Sequence, residues 1–267
     1  MNLRASKVFG LVVVLFCFGG CASGPQPLPQ QPPGPVTQVE WPKQQQEFLH
    51  YKELADKGDA DAEYRVGLMY ASGYGIKRDY LESREWIQKA SDGGNQDAQT
   101  DVASRCISLT PFSCSYAVAF DLLNQAVEGG GFKAEVLLAM MYEHGLATPV
   151  NHALAQDLMD KAARQRDTSL AAYAEAARIC VGMRMVITPS ALEVTSRGKY
   201  APSFVGFRYD TATASVADVV IVKSSSSKLL DDWAIDTVNR AFLPPPPSDL
   251  TDLKGLTLGI SPEGASN

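Results

Sequence analysis

Ala62-Glu63-Tyr64-Arg65-Val66-Gly67-Leu68-Met69-Tyr70 is followed by Gly73 and Gly75, then Asp79, then Trp86-Ile87-Gln88-Lys89-Ala90. A step of 36 residues puts Ala98 in the place of Ala62, Cys106 in that of Tyr70 and Ala126 in that of Ala90. A second step of 36 matches better: Ala134 begins the unit, Tyr142 repeats Tyr70, Gly145 repeats Gly73, Asn151 replaces Asp79, and Lys161-Ala162 repeats Lys89-Ala90. A period of this size, held without a gap, signals a stacked repeat array.

Within one unit the spacing is helical. Ala62, Val66, Met69 and Tyr70 fall on one helix face. Tyr80, Ser83, Ile87 and Ala90 form a second, with Trp86 beside it. Gly73 and Gly75 break the chain between the helices, and Gly93-Gly94 ends the second. Each unit is a helical hairpin whose apolar side only its neighbours can cover.

The pattern Ala62…Gly67…Tyr70…Gly73-Tyr74-Gly75-Ile76…Asp79…Trp86…Lys89-Ala90…Gly94…Ala98 resembles the Sel-one-like repeat (SLR), a relative of the tetratricopeptide repeat. The first and third units carry the resemblance. The second lacks the glycines and has Thr110-Pro111-Phe112-Ser113 in their place. Phe48 to Gly58 reads as a leading second helix, and Leu170 to Ile179 as a trailing first helix. The expected array is 47–182.

Upstream, Arg4 and Lys7 precede the apolar run Val8 to Phe18, which reads as a secretory signal over 1–20. The run is shorter than the ~20 apolar residues of a spanning helix. Phe18-Gly19-Gly20-Cys21 resembles a bacterial lipobox, in which the cysteine is acylated. An ordinary secreted protein cut nearby fits the same run. Ala22, rather than Asp, after Cys21 implies, by resemblance to sorted lipoproteins, the periplasmic face of the outer membrane. Pro25 to Pro42 holds seven prolines among Gln and Gly and reads as a spacer, so 21–46 is expected to be a lipidated proline-rich linker.

Length and composition fit two domains, and the 45% apolar content supports a real core. Net charge is −6, and −8 once Arg4 and Lys7 are removed, which argues against a nucleic-acid partner. Export permits disulfides. Cys106 and Cys114 bracket the loop that lost its glycines, so a local bridge is expected there. Cys180 is left over and reads as a buried free thiol.

After Thr188-Pro189 the pattern changes. Phe204 to Tyr209 alternates like a strand, with Phe204 off the rhythm of Val205, Phe207 and Tyr209. Asp210 to Ala214 is turn-like, and Val216 to Val222 is a β-branched run. Ser224 to Ser227 leads into a helix cap. Leu229 to Val238 is amphipathic, with Leu230, Trp233 or Ala234, and Val238 on one face. Pro244 to Pro247 ends that helix, and Leu256-Thr257-Leu258-Gly259-Ile260 is a last short strand. Residues 190–262 resemble the C-terminal domain of TonB, on the strand pair, Ser224-Ser225, Leu230-Asp231 with Ala234, Val238 and Ala241, Phe242 before Pro244-Pro245, and the closing strand. Thr213-Ala214 and Ser226 stand where that family usually has glycine. The resemblance implies capture of an extended peptide beside the strand Leu256, Thr257, Leu258, Gly259 and Ile260. An unrelated small cap for the solenoid fits the same pattern.

No phosphate loop, zinc-helix pair or serine-nucleophile elbow stands in the sequence. His144 and His152 flank one repeat loop without a third ligand, so no metal is expected. Glu63, Gln99 and Glu135 recur on the first helices, either lining a groove or forming a solvated face. Asp231-Asp232 fits helix electrostatics better than acid–base work. The expectation is a mainly α fold: a short α/α solenoid of helical-hairpin repeats followed by a small α+β (β-β-α-β) domain. Its expected role is a non-enzymatic, envelope-anchored protein–protein interaction scaffold, binding envelope proteins or peptides without a cofactor. An inner-membrane TonB paralogue and an enzyme acting on peptidoglycan or β-lactams are the rival readings.

Overall fold

The computed structural model describes residues 40–108, 114–183, 201–250, 253 and 256–261, with side chains from residue 43. The expected signal segment, Cys21, most of the linker, Thr110 to Ser113 and Thr188-Pro189 lie outside the described residues.

Eight helices form the array: α1 (Glu40–Asp56), α2 (Ala60–Ser72), α3 (Tyr80–Asp92), α4 (Gln96–Ile107), α5 (Tyr116–Ala126), α6 (Phe132–His144), α7 (His152–Ala163) and α8 (Ser169–Met183). A 3₁₀ turn, Val127–Gly129, follows α5. Most helix starts in the array carry a side-chain cap, and α6, which follows Gly131, does not. Asp59 and Asn95 accept from the backbone N–H groups of Ala62 and Ala98, three residues on. Asp79, Ser115 and Asn151 do the same at the second helices. These caps keep the 36-residue step.

The core keeps it too. Ala62, Ala98 and Ala134 are buried, as are Ile87, Leu123 and Met159, and Ala90, Ala126 and Ala162. Gly67, where the next two repeats have Ala103 and Ala139, lets α2 approach α3 closely: a Cβ there would lie 3.2 Å from the Ile87 nitrogen and the Ser83 carbonyl oxygen. Gly75 turns left-handed at φ 70°, and a side chain there would run into the Gln44 carbonyl of α1.

Two expectations need correction. The leading helix begins at Glu40, not Phe48, so it takes in the end of the expected linker; Pro42 sits in its first turn, where its missing N–H costs nothing. Tyr80 is not on the inner face of α3 but 53% exposed, because it is the first helical residue and points past the hairpin.

The C-terminal unit has β1 (Ser203–Asp210), β2 (Ser215–Lys223), α9 (Lys228–Asn239) and β3 (Thr257–Ile260). The sheet is antiparallel in the order β2-β1-β3. Val205, Phe207 and Tyr209 of β1 pack inward with Leu230, Trp233, Ala234 and Val238 of α9. Leu256 precedes β3 instead of opening it, since its N–H donates to Leu253 O at 3.0 Å in a turn. Ser227 makes no side-chain cap. The Asp231 carboxylate instead gathers the loop, accepting from Ser203 Oγ (2.7 Å), Ser225 N (2.9 Å), Ser225 Oγ (2.9 Å) and Ser224 Oγ.

Candidate binding surfaces

A polar ladder runs through the solenoid. Glu63, Gln99 and Glu135, on the first helix of each repeat, are not a solvated face: they are 2%, 4% and 0% exposed. Glu63 pairs with Lys89 at 2.7 Å and Glu135 with Lys161 at 2.8 Å. Gln165 adds a bond to Glu135 at 2.6 Å. Between them, Gln99 Nε2 donates to Gln125 Oε1 at 3.0 Å. Each lysine also reaches the last turn of the preceding second helix, Lys89 to Ala55 O at 3.4 Å and Lys161 to Val127 O at 3.5 Å. In the middle repeat Gln99 Nε2 takes that role, 3.5 Å from Ser91 O. The ladder ties successive hairpins and satisfies helix-end carbonyls.

A second cluster crosses three repeats. Asp101 accepts from Tyr64 Oη at 2.8 Å and from Lys133 Nζ at 2.7 Å. Burial pushes the Asp101 carboxyl up, but Lys133 and the Tyr64 hydroxyl outweigh it and hold it below its ordinary value. Tyr64 is pushed far up by burial and by Asp101. Cys106 and Cys114 form the expected disulfide, from the last turn of α4 to the residues just before α5, and Cys180 is buried, outside any disulfide among the described residues.

The two histidines are not a metal pair. Among the described residues, no group of three or more His, Cys, Asp or Glu is arranged to hold an ion. They pin the C-terminal unit to the last repeat. His152 Nδ1 donates to Glu143 at 2.9 Å, while Tyr209 of β1 donates to the other Glu143 oxygen at 2.8 Å. His144 Nε2 donates to Leu243 O at 2.7 Å, and its ring lies 4.9 Å from that of Phe242. From there the chain crosses the end of the array as a strap. Tyr173 donates to Pro244 O (3.3 Å), Gln156 to Pro246 O (2.8 Å), and Ser248 N–H to Asp160 (2.6 Å). The strap and β3 lie against α8.

The sequence reading missed Glu143, Gln156, Tyr173 and the strap's contacts. One signal was present: Glu143 stands where earlier repeats have Ala71 and Ile107. A carboxylate on an apolar row calls for a partner.

The sheet has two edges. The β1–β2 ladder shifts register twice, between Phe204 and Val205 and between Gly206 and Arg208. Asp218, inside the second shift, has φ 52° and holds Arg208 at 2.8 Å. The β1–β3 ladder is regular over four pairs, from Ser203–Ile260 to Gly206–Thr257. Leu258, Gly259 and Ile260 are buried and Thr257 is exposed.

These features define a helical-hairpin repeat solenoid closed at one end by a small sheet. Residues 60–95 and 133–167 match the family model of the Sel1 repeat. Among solved structures, a Sel1 repeat protein from Oxalobacter formigenes is similar at 25% identity and TM-score 0.42, over 45% of this chain and 91% of that one. The protein c5321, described as a protective antigen in uropathogenic Escherichia coli strains with an SLR fold, matches at 22% identity and TM-score 0.41, over 57% of this chain and 33% of that one. A putative Sel1 repeat protein from Klebsiella pneumoniae subsp. pneumoniae matches at 27% identity and TM-score 0.37, over 57% and 75%. No curated protein matches.

Proposed function

We propose that this protein is a non-enzymatic protein-binding scaffold of the bacterial envelope. It is held at the outer membrane by lipid on Cys21 and captures an extended peptide beside β3. The solenoid supplies a rigid mount, and the small TonB-like unit supplies the docking edge. The observation that carries the reading is the contrast between the two sheet edges. β2 is twice bulged, a feature that blunts an edge against pairing. β3 is regular and carries no charge within it. An extended peptide in register would satisfy its outward N–H and C=O groups.

Hydrogen exchange on the monomeric protein tests the edge. The expected pattern over Thr257 to Ile260 alternates: amides bonded to β1 are slow, and outward ones exchange freely. Strong protection of all four amides would mean that the edge is already occupied, and the docking reading would fail. The anchor has its own test. Cys21→Ser should move the protein from the membrane to the soluble periplasmic fraction, and unchanged fractionation would count against lipidation.

A further inference from the structure

We propose that the groove along α7 and α8 is a recognition site for proline-rich extended segments of another protein, held closed in cis by the strap Phe242 to Asp249. The proposal concerns a different surface from the β3 edge and does not depend on it.

The strap's conformation follows from its sequence. Pro244 to Pro247 have φ fixed by their rings, and each residue that precedes a proline is driven to extended geometry, so Leu243 to Pro247 favours polyproline form. Such a segment has few N–H groups to offer, and its recognisable features are carbonyl oxygens and ring faces. The groove meets those features. Gln156 donates to Pro246 O and Tyr173 to Pro244 O, while an aromatic contact from His144 holds Phe242 ahead of the prolines.

The two proline carbonyls that are read, those of Pro244 and Pro246, stand two residues apart, ~6 Å in polyproline form. Gln156 and Asp160 are one helical turn apart on α7, a rise of ~6 Å. Gln156 takes the Pro246 carbonyl, and Asp160 accepts from Ser248 N–H where the strap leaves extended geometry for the turn that Leu250 N closes on Pro247 O at 2.9 Å. The Gln156 amide further donates to Asp160 at 3.1 Å, which fixes both side chains for this task. A helix pair that reads alternate carbonyls of a polyproline strand tolerates changes in side chain. Such a groove selects for extended proline-rich chain, with a bulky apolar or aromatic residue in front. The strap is tethered through α9 and the sheet, so a ligand in trans competes against a high effective concentration. The site therefore opens only when the C-terminal unit yields.

The test uses the full chain and a fluorescent peptide with the sequence of residues 241–249, read by anisotropy. Two variants unseat the strap: Leu243→Ser with Pro246→Asp, and the milder Pro244→Gly with Pro246→Gly. Both should keep the helical circular dichroism and bind the peptide at least ten-fold tighter than the unmodified chain. Adding Gln156→Ala to either should weaken binding about ten-fold, and a peptide with alanine for proline should not bind. Failure of both variants to bind, equal binding by the unmodified chain, or equal binding of the alanine peptide would overturn the proposal. So would loss of helical signal in both variants, because the strap would then be core and not ligand. A peptide of residues 25–35 binding better than the strap peptide would assign the groove to this chain's own linker and overturn the commitment to a separate partner.

Discussion

The outer repeats join their helices through a buried carboxylate and a lysine, whereas the middle repeat joins them through two amides. Glu63–Lys89 and Glu135–Lys161 are charged, and Gln99–Gln125 is neutral at the same two positions. The exchange is matched: both partners lose their charge together, so no ion is left stranded. The same repeat replaces its glycine turn with the Cys106–Cys114 bridge. The array thus keeps a fixed geometry of contact while the chemistry of that contact varies. What each repeat keeps is a matched pair at these two positions, since a buried charge without its partner is far more costly than the pair is stabilising.

The largest expected effect comes from stranding the best-buried member. Lys161→Met keeps the apolar stem but leaves Glu135, 0% exposed, with only Gln165. Urea unfolding should show a loss of ~3–5 kcal/mol. A change within ±0.5 kcal/mol would mean that the ladder is not structural. Next is the bridge of the middle repeat. Replacing Cys106 and Cys114 by Ser should cost ~2–3 kcal/mol, the chain-entropy value for a short loop, measured against the oxidised protein in the same titration.

Smaller still is the neutral rung. Gln99→Glu alone should destabilise by ~1–3 kcal/mol, as a buried carboxylate without a cation. Gln99→Glu together with Gln125→Lys should recover most of that loss, because the outer rungs show that this geometry accepts the ion pair. A double-mutant cycle without coupling would break the equivalence of the three rungs.

The smallest effect is in the C-terminal unit. Burial alone would raise the Asp231 carboxyl, but hydrogen bonds from Ser224, Ser225 and Ser203 bring it down to about 2. A carboxyl lowered on folding stabilises above its unfolded value, ~3.9 for Asp. That stability is lost as pH falls from ~4 towards ~2. The Asp231→Asn variant should show a flatter acid limb in this window, by circular dichroism of α9.

The solenoid was legible because its information is local. Caps, glycine turns and apolar spacing repeat within each 36 residues, and one unit could be checked against the next. The order of elements along the C-terminal unit was legible from local patterns, but the sheet order β2-β1-β3 was not. The row Glu63, Gln99 and Glu135 was visible, but neither a groove lining nor a solvated face describes it, because all three are buried. Their partners stand at a constant separation of 26 residues with matching chemistry, which was the available signal. The docking of the strap was not legible. Pro244 to Pro247 read only as a helix stop, because a proline run states that the chain is extended and not what it lies against. The contacts from His144, Gln156 and Tyr173 span many intervening residues and leave no period to detect.

Glu143, the histidines and the strap join solenoid and sheet into one body. Double electron–electron resonance between spin labels on unnatural side chains at Leu81 and Val222, exposed by 71% and 60%, tests it directly. One narrow distance distribution is predicted, which broadens when Glu143→Ala is combined with Gln156→Ala. A broad distribution in the unmodified protein would contradict the claim and leave the sheet as an independently moving domain.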